Sequence, residues 1–407
     1  MNVILQQSSI ENHKSSIVIT GSKSESNRLL LLQALFPEIT IENLSNSDDT
    51  KVMQYALQTK ASTIDIHHAG TAMRFLTAYF ATQEHSNIIL TGSSRMKERP
   101  VKILVDALNT LGADILYLEN KGCPPLQIKG QTLVNSKVVL NANVSSQYIS
   151  ALLLIAPKLK NGLQLTLEGK ITSVPYIKMT LDLLNRIGVE TQFSNNCITV
   201  YPKAVKEDLQ TLVVESDWSS ASYFYSIVAL SPVGTQISLS SYKQNSLQGD
   251  SVLRTIYKDF GVETHYENNS IILKKISENT NPKIYNLNNA PDIAQTIAVT
   301  CLGLGIECQL SGLHTLKIKE TDRLQALKIE IQKLGGHIDI TEDALSLMPK
   351  KTLNKNVSID TYDDHRMAMA FAPLALKIPL QINDANVVSK SFPSFWKDLK
   401  ALGFKIY

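Results

Sequence analysis

The sequence predicts an α/β protein of two domains, each built from three similar units. The first observation is a repeated helix stop: an apolar residue and a glycine end an amphipathic stretch every 68 to 76 residues, at Gly112, Gly188, Gly261, Gly335 and Gly403. Glycine directly after an amphipathic stretch is a common helix terminator. A strand-like stretch follows each of the first four glycines, such as "ADILYL" after the first. So regular a spacing favours repeated units over ordinary α/β alternation.

A second series of helices has a similar spacing and a different character. These five stretches are apolar on nearly all sides: "AGTAMRFLTAYFAT", "SSQYISALLLIAP", "DWSSASYFYSIVAL", "APDIAQTIAVTCLGL" and "DDHRMAMAFAPLAL". Helices of this kind are expected to be buried. The N-terminal region supplies one more pair, "SESNRLLLLQALF" and "DDTKVMQYALQT". The sequence therefore predicts six units, each with one buried helix, one surface helix and strands between them.

Length and composition exclude several classes of protein. The 407 residues suffice for two domains of ordinary size. No segment approaches the ~18 consecutive apolar residues of a membrane helix. The N-terminus lacks the order of a secretory signal, so a cytoplasmic protein is expected. The four cysteines have no metal-type spacing. A net charge of +3 is too mild to predict a nucleic-acid surface.

Arginine is scarce in this chain and unevenly placed. Eight of the 40 basic residues are arginines, and six of them lie in short polar motifs: Arg28, Arg74, Arg95, Arg99, Arg323 and Arg366. The planar guanidinium offers two parallel donors that match carboxylate and phosphate groups. This placement indicates that the motifs bind anions.

The polar motifs coincide with the predicted helix starts. A helix N-terminus has free N–H groups and a partial positive charge, so it binds anions readily. Helix capping is the expected explanation of Ser24, Thr71 and Ser219. It does not explain the cations at these starts, which oppose the helix dipole: Lys23, Arg28, Arg99, Arg323 and Arg366. The sequence therefore predicts a site for a polyanionic small molecule.

The candidates for acid–base chemistry are Asp292, Glu320, Asp322, Asp364 and His365. Asp292 follows a proline at the start of an apolar helix, where it either caps the helix or acts as a base. Glu320 lies between Lys319 and Arg323, so it is either an ion-pair partner or a proton carrier.

The motifs "GSKSESNR", "AGTAMR", "RMKERP", "SSQ", "KETDR", "DHRMAM" and "KSFP", in this order, resemble those of the EPSP synthase (3-phosphoshikimate 1-carboxyvinyltransferase) family. The resemblance extends over essentially the whole chain. It implies an inverted α/β barrel-like fold of six βαβαββ units, three in each of two domains. Residues 1–22 and 217–407 would form a discontinuous first domain and residues 23–216 the second. The active site would lie in the cleft between them, which would close on the substrates.

The implied reaction transfers the enolpyruvyl group of phosphoenolpyruvate to the 5-hydroxyl of shikimate 3-phosphate. Its products are 5-enolpyruvylshikimate 3-phosphate and phosphate, in the shikimate pathway that leads to chorismate and the aromatic amino acids. The resemblance further implies a monomeric transferase that needs no metal or other cofactor and binds neither nucleic acid nor membrane.

The resemblance also implies roles for individual residues. Shikimate 3-phosphate would be held by Lys23, Ser24, Arg28, Ser145, Ser146, Gln147, Ser173, Tyr176, Asp292 and Lys319. Phosphoenolpyruvate would be held by Lys23, Gly70, Arg99, Gln147, Arg323, Arg366 and Lys390. Asp292, Glu320 and Lys23 would be catalytic. By this resemblance, Asp292 would take the proton of the attacking hydroxyl. Glu320 would protonate the phosphoenolpyruvate methylene and later remove a proton as phosphate leaves.

Two adjacent histidines depart from the family pattern. His67 and His68 stand where the family has Gly-Asn, and that Asn lines the phosphoenolpyruvate pocket. Adjacent side chains in an extended loop point to opposite sides, so neither a metal site nor a catalytic pair is expected. His67 is expected to face solvent or to pack locally. Protonated His68 would add a cation beside an anionic ligand, so phosphoenolpyruvate affinity is expected to rise as the pH falls.

Two alternative functions remain open. Another enolpyruvyl transferase, such as the enzyme that acts on a UDP-sugar, would share the fold, but it is not similar at "KETDR" or "DHRMAM". A non-catalytic anion-binding homologue would have lost its chemistry. The presence of Lys23, Asp292, Glu320 and Lys390 opposes that second alternative.

Overall fold

The computed structural model describes residues 1–10, 14–141, 145–169, 171, 174–203, 209–350 and 352–407. The chain divides into two compact lobes. Lobe 1 consists of Met1–Gly21 and Glu215–Tyr407, and lobe 2 of Ser22–Val214. Within the described ranges, no helix is both long enough and apolar enough to cross a membrane.

The described helices are α1 (Lys23–Leu35), α2 (Asp48–Gln58), α3 (Gly70–Ala81), α4 (Lys102–Leu111), α5 (Ser146–Ile155), α6 (Val174–Arg186), α7 (Trp218–Leu230), α8 (Leu253–Ile256), α9 (Ala294–Leu304), α10 (Arg323–Lys333), α11 (His365–Phe371) and α12 (Phe395–Ala401). The described strands are β1 (Val3–Leu5), β2 (Lys14–Ile17), β3 (Ile39–Glu42), β4 (Thr63–Asp65), β5 (Asn87–Thr91), β6 (Asp114–Tyr117), β7 (Leu126–Lys129), β8 (Lys137–Asn141), β9 (Leu163–Glu168), β10 (Thr191–Ser194), β11 (Cys197–Val200), β12 (Gln210–Val213), β13 (Gln236–Ser240), β14 (Val262–Glu267), β15 (Ser270–Lys275), β16 (Lys283–Asn286), β17 (Cys308–Ser311), β18 (His337–Ile340), β19 (Ala344–Met348), β20 (Val357–Ile359) and β21 (Leu380–Ile382).

Four of the sheets share one topology. In the order β4-β5-β7-β6, the first two strands are parallel and the last two pair antiparallel. The same order recurs as β8-β9-β11-β10, β2-β13-β15-β14 and β16-β17-β19-β18. In the sheets that begin with β4, β8 and β16 a single helix connects the parallel strands, and in all four a second helix leads to the outer hairpin. The βαβαββ unit predicted for the fold is thus confirmed.

Two strands pair with distant partners where the chain passes from one lobe to the other. β2 precedes α1 in sequence, yet it pairs in parallel with β13, which follows α7. β12 precedes α7, yet it pairs in parallel with β3, which follows α1. The segments next to the crossings are tied by a bridge between Gly21 and Ser216 and by a bond from the Ser216 hydroxyl to the Ile19 carbonyl, at 2.5 Å. Each lobe therefore completes one sheet with a strand that is distant in sequence.

The helices divide into the two predicted kinds. In α3 every residue except Thr71 is buried, and in α7 every residue except Ser219. In α4 only one face is buried. The predicted helix-stop glycines at 112, 188, 261, 335 and 403 all have positive φ, between 74° and 108°, a left-handed conformation that a side chain would strain.

One predicted surface helix is shorter than expected. The stretch before Gly261 forms only the four-residue α8, flanked by 3₁₀ turns at Gly249–Val252 and Tyr257–Phe260. β-Branched and aromatic residues such as Val252, Thr255 and Tyr257 are weak helix formers, because they lose side-chain freedom against the preceding turn. Their concentration here explains the broken helix.

Candidate active site

Arg323 is the centre of a charged cluster in lobe 1. Its guanidinium donates from Nε to Asp364 Oδ2 at 2.5 Å, from Nη1 to Asp292 Oδ1 at 2.9 Å and from Nη2 to Glu320 Oε2 at 2.8 Å. The side chain is only 2% exposed. One arginine thus joins the segments that precede α9, α10 and α11.

Helix caps set the positions of these side chains. Asp322 caps α10 by accepting from the amides of Leu324 and Gln325, both at 3.1 Å. Asp364 caps α11 by accepting from the Arg366 amide at 2.8 Å. Each cap leaves the following arginine at the first turn of its helix. Asp322, an acid–base candidate in the sequence, is therefore engaged as a cap.

Three further cations complete the cluster. Arg366 donates to the carbonyl oxygen of Asp292 at 3.0 Å and to its Oδ2 at 3.2 Å. Lys319 Nζ lies 3.3 Å from Asp292 Oδ1. Lys390 Nζ lies 2.9 Å from Glu320 Oε1. Cations and carboxylates therefore alternate around both candidate catalytic acids.

The cluster shifts the ionisation of its members. Burial opposes the charged form of Asp292, but three surrounding cations, Arg366 first among them, hold the pKa of this carboxyl well below its usual range. Burial lowers the pKa of Lys319, although Asp292 opposes the change. Burial would also lower the pKa of Arg323, but its three carboxylate neighbours raise it. At neutral pH, Asp292 is therefore a carboxylate.

A serine and an aspartate extend the cluster. Ser219 Oγ accepts from Arg366 Nη2 at 3.3 Å and donates to the carboxylate of Asp250. Asp250 is 3% exposed, and its Oδ1 has no hydrogen-bond partner in the described part of the chain. Burial, and then the charge of Asp292, raise the pKa of Asp250 to about 6. Sequence reasoning missed Asp250, whose only signal is an acid directly after a glycine.

Arg28 in lobe 2 has surroundings of another kind. It is 2% exposed and donates to Thr180 Oγ1 at 2.8 Å, to Ser150 Oγ at 3.0 Å and to the Ser24 carbonyl at 2.7 Å. Its Cζ lies 5.3 Å from the ring centroid of Phe75. Among the described residues it forms no ion pair. Burial lowers its pKa to about 10, so it stays charged at neutral pH. Arg28 is a buried cation available to an anion.

The other predicted polar residues of lobe 2 lie at the starts of its buried helices. Lys23 Nζ lies 3.0 Å from Asp49 Oδ2, a partner that sequence reasoning did not identify. The Ser145 hydroxyl caps α5 by accepting from the Gln147 amide at 3.3 Å. The Gln147 side chain donates to Thr71 Oγ1 at 3.1 Å, which joins the starts of α5 and α3.

Gly70 and Arg99 are in direct contact. A Cβ atom placed on Gly70 would lie 2.6 Å from Arg99 Nη1 and 3.0 Å from its Cζ. A side chain at position 70 would therefore displace the guanidinium. The sequence could not predict this contact, but it named both residues for phosphoenolpyruvate.

The structure brings together all the predicted lobe 1 residues: Asp292, Lys319, Glu320, Arg323, Arg366 and Lys390. The predicted lobe 2 residues fall into smaller groups. Tyr176 is half-buried, with its ring centroid 6.0 Å from Arg28 Cζ, and Ser146 is buried at the first position of α5. Ser173 lies outside the described residues.

The two histidines have separate partners. His67 has a left-handed φ of 49°, so the prediction of an extended loop is wrong at this residue. Its amide donates to Asp65 Oδ1 at 2.7 Å. His68 Nδ1 lies 2.8 Å from Ser93 Oγ. Both histidines are exposed. The described ranges contain no group of three or more metal-type ligands.

Known proteins share both the sequence pattern and the fold. A family model described as EPSP synthase (3-phosphoshikimate 1-carboxyvinyltransferase) matches residues 54–399. The chain belongs to the EPSP synthase family. The 3-phosphoshikimate 1-carboxyvinyltransferase of Bacteroides fragilis (strain YCH46) is 46% identical over 398 residues, covering 97% of this chain and 96% of the relative. The protein of that name from Colwellia psychrerythraea is 37% identical over 412 residues, covering 94% and 95%.

Two solved structures support the family's fold. The EPSP synthase of Acinetobacter baumannii has a TM-score of 0.78 at 21% identity and covers 100% of this chain and 99% of its own. The enolpyruvyl transferase NikO of Streptomyces tendae has a TM-score of 0.73 at 11% identity and covers 100% and 98%. At such identities the comparison shows the fold alone, and the predicted fold class is confirmed.

Proposed function

We propose that the protein transfers the enolpyruvyl group of phosphoenolpyruvate to the 5-hydroxyl of shikimate 3-phosphate and releases phosphate. The observation that carries the proposal is the Arg323 cluster. In it, the family motifs "KETDR" and "DHRMAM" and the turn that contains Asp292 supply one contiguous set of cations and carboxylates. The full-length relationship to 3-phosphoshikimate 1-carboxyvinyltransferases supports the choice of substrates.

The cations of lobe 1 suit phosphoenolpyruvate. Arg323, Arg366 and Lys390 each offer charge-assisted hydrogen bonds, worth about 1.5–3 kcal/mol apiece. Each is already paired with a carboxylate, so the bound anion shares these cations with Asp292 and Glu320. Sharing weakens the effect that holds the pKa of Asp292 down. Asp292 therefore gains proton affinity when phosphoenolpyruvate binds, which is when a base is needed.

The two acids take different protons. Asp292 accepts the proton of the 5-hydroxyl as its oxygen bonds to C2 of phosphoenolpyruvate. Glu320, in its carboxylic acid form, gives a proton to C3, which becomes a methyl group. The resulting carboxylate then removes a proton from that methyl as the C–O bond to phosphate breaks, which restores the double bond, and Asp292 passes the hydroxyl proton to the departing phosphate. Lys23 stabilises the charge of the tetrahedral intermediate.

Lobe 2 suits shikimate 3-phosphate. The buried guanidinium of Arg28, which forms no ion pair with a carboxylate in the described ranges, attracts the phosphate. Hydroxyl and amide groups complete the proposed site: Ser24, Ser145, Ser146, Gln147, Ser173 and Tyr176, with Lys319 from lobe 1. Gly70 and Arg99 add donors for phosphoenolpyruvate.

Because residues from both lobes must act on the same substrates, we further propose that the active site is the cleft between the two domains and closes on its ligands. Small-angle scattering should show a smaller radius of gyration when both substrates are bound. An unchanged radius at saturation would contradict closure. We also propose a cytoplasmic monomer that needs no cofactor and binds no nucleic acid, and sedimentation at assay concentration tests the monomer.

The direct test is phosphate release from phosphoenolpyruvate. We expect release that depends on shikimate 3-phosphate and persists in the presence of a metal chelator. A UDP-sugar in place of shikimate 3-phosphate is the control for the alternative transferase. Release with the UDP-sugar alone would favour that alternative, and no release with either acceptor would favour a non-catalytic anion-binding protein.

A further inference from the structure

Arg74 is a motif arginine that the proposed reaction leaves without a role. It lies in the first turns of α3 and is 3% exposed. In the described part of the chain it forms no ion pair. A buried guanidinium without a carboxylate is uncommon, because burial disfavours an unneutralised charge. Its position therefore requires an explanation.

The hydrogen bonds of Arg74 join two segments of lobe 2. Nη1 donates to the Gly70 carbonyl at 3.1 Å, and Nη2 donates to the Pro100 carbonyl at 2.8 Å. The hydroxyl of Tyr148 donates to the same Pro100 oxygen at 2.6 Å. Arg74 Cζ lies 5.8 Å from the ring centroid of Tyr148. Two donors from different helices thus hold one carbonyl group.

That carbonyl group belongs to the residue directly after Arg99. The Arg99 amide donates to the Met96 carbonyl at 3.1 Å, so the backbone is held on both sides of Arg99. Pro100 limits the backbone further, because its ring fixes φ. The Arg99 guanidinium in turn lies against Gly70, whose carbonyl group is the other acceptor of Arg74. Arg74 therefore contacts Gly70 and the residue that directly follows Arg99.

The charge of Arg74 adds to its effect. Burial, and then the like charge of Arg99, lower the pKa of Arg74 to about 10, so the side chain remains a cation at neutral pH. Two guanidinium groups held close together repel each other. A bound anion beside Arg99 relieves that repulsion. The arrangement suits a site that receives an anion.

We propose that Arg74, together with Tyr148, is a positioning residue that holds Arg99 in place to bind phosphoenolpyruvate. This inference rests on the proposed function. It goes beyond the family resemblance, which assigns Arg99 and Gly70 but gives no role to Arg74 or Tyr148.

The test compares the conservative variants Arg74→Lys and Tyr148→Phe. Each removes a bond to the Pro100 carbonyl and keeps most of the side-chain volume. We expect the KM for phosphoenolpyruvate to rise about 10-fold in the first and about 3-fold in the second. We expect kcat and the KM for shikimate 3-phosphate to change less than about 2-fold. The double variant should show less than the product of the single effects, because both donors share one acceptor.

Two further variants serve as a positive and a negative control. Gly70→Ala displaces the Arg99 guanidinium directly and should give the same selective rise in the KM for phosphoenolpyruvate. Tyr55→Phe is the matched control, because Tyr55 belongs to the same lobe and its side chain is exposed. This control should leave both KM values unchanged.

The outcomes separate the inference from the proposed function. If the wild-type protein releases no phosphate with shikimate 3-phosphate, the proposed function is wrong. If the wild type is active and Tyr148→Phe and Arg74→Lys leave the KM for phosphoenolpyruvate unchanged, the positioning role is wrong. A fall in kcat with both KM values unchanged would likewise overturn it. Tyr148→Phe removes a single oxygen and carries the test if Arg74→Lys does not fold.

Discussion

The two lobes hold their buried arginines in opposite ways. In lobe 1, Arg323 donates to three carboxylates. In lobe 2, the described contacts of Arg28 and Arg74 are to hydroxyl, carbonyl and thioether groups. The pKa values respond accordingly: burial lowers those of Arg28 and Arg74 to about 10, whereas the carboxylates raise that of Arg323 despite burial.

The difference indicates that the two lobes have different roles in the proposed reaction. Cations without carboxylate partners present unbalanced positive charge, so lobe 2 is prepared to receive an anion. In the Arg323 cluster of lobe 1, the charges of the cations and the carboxylates largely offset each other. The carboxylates of lobe 1 can therefore exchange protons with the substrates. Variants of the lobe 1 carboxylates should therefore lose catalysis, and variants of the buried lobe 2 arginines should lose substrate binding.

The largest expected effect is in lobe 1. Glu320→Gln removes the proposed proton carrier and keeps the shape of the side chain. Turnover should fall about 10²- to 10⁴-fold, with shikimate 3-phosphate affinity nearly unchanged by calorimetry. Glu342→Gln, which alters an exposed carboxylate paired with Lys317, is the control. Near-normal turnover in Glu320→Gln would show that Glu320 only neutralises charge.

The second effect is in lobe 2. Arg28→Ala should weaken shikimate 3-phosphate binding about 10- to 100-fold, because it removes charge-assisted bonds to the phosphate. Turnover at saturating substrate should fall much less. Arg186→Ala, at an exposed arginine that pairs with Asp182 in the same lobe, should leave affinity unchanged. Equal losses of affinity and turnover in Arg28→Ala would contradict the proposed difference between the two lobes.

The third effect concerns Asp250, whose pKa burial raises to about 6. As the pH falls through 6 toward the ordinary value near 4, the folded state binds a proton that the unfolded chain does not. Ionisation of Asp250 therefore destabilises the fold, and this destabilisation grows as the pH rises from about 4 to about 6. Relative to Asp250→Asn, the wild type should lose roughly 2 kcal/mol of unfolding free energy across that range.

Urea titrations at pH 4 and pH 6 measure that difference. Tryptophan fluorescence reports on lobe 1, because Trp218 and Trp396 are the two tryptophans of the chain and both belong to that lobe. Glu307→Gln, at an exposed carboxylate of lobe 1, is the control for general charge effects. Identical pH dependence in the wild type and Asp250→Asn would show that Asp250 does not titrate in this window.

The smallest effect is at His68, an exposed side chain whose Nδ1 lies 2.8 Å from Ser93 Oγ. His68→Asn restores the residue that the family has at this position, and phosphoenolpyruvate affinity at a fixed pH should change only a few-fold. His85→Asn, at an exposed histidine beyond the other end of α3, is the control. An affinity that changes no more in His68→Asn than in this control would exclude a role of His68 in binding.

Local patterns predicted much of this molecule. A glycine after an amphipathic stretch correctly predicted the helix ends at Gly112 and Gly335. Stretches that are apolar on all sides correctly predicted the buried helices. Both patterns can be recognised because each lies within a short segment of the chain. The exchange of β2 and β12 depends on pairing between strands that start 222 and 171 residues apart, and no local pattern encodes it. Motif order named the site residues. It could not show that one arginine joins three carboxylates, since that requires three helix starts to meet.

The exchanged strands have a consequence for synthesis. β2 leaves the ribosome early, but its partner β13 begins at Gln236, more than two hundred residues later. At about 5–20 residues per second, β2 waits roughly 10 to 40 s for that partner. An unpaired strand is a hazard for aggregation during such a wait. The sequence of β2, "KSSI", is largely polar, which makes it a poor template for other chains. Lobe 2, by contrast, is a continuous stretch that can fold as soon as Val214 has emerged.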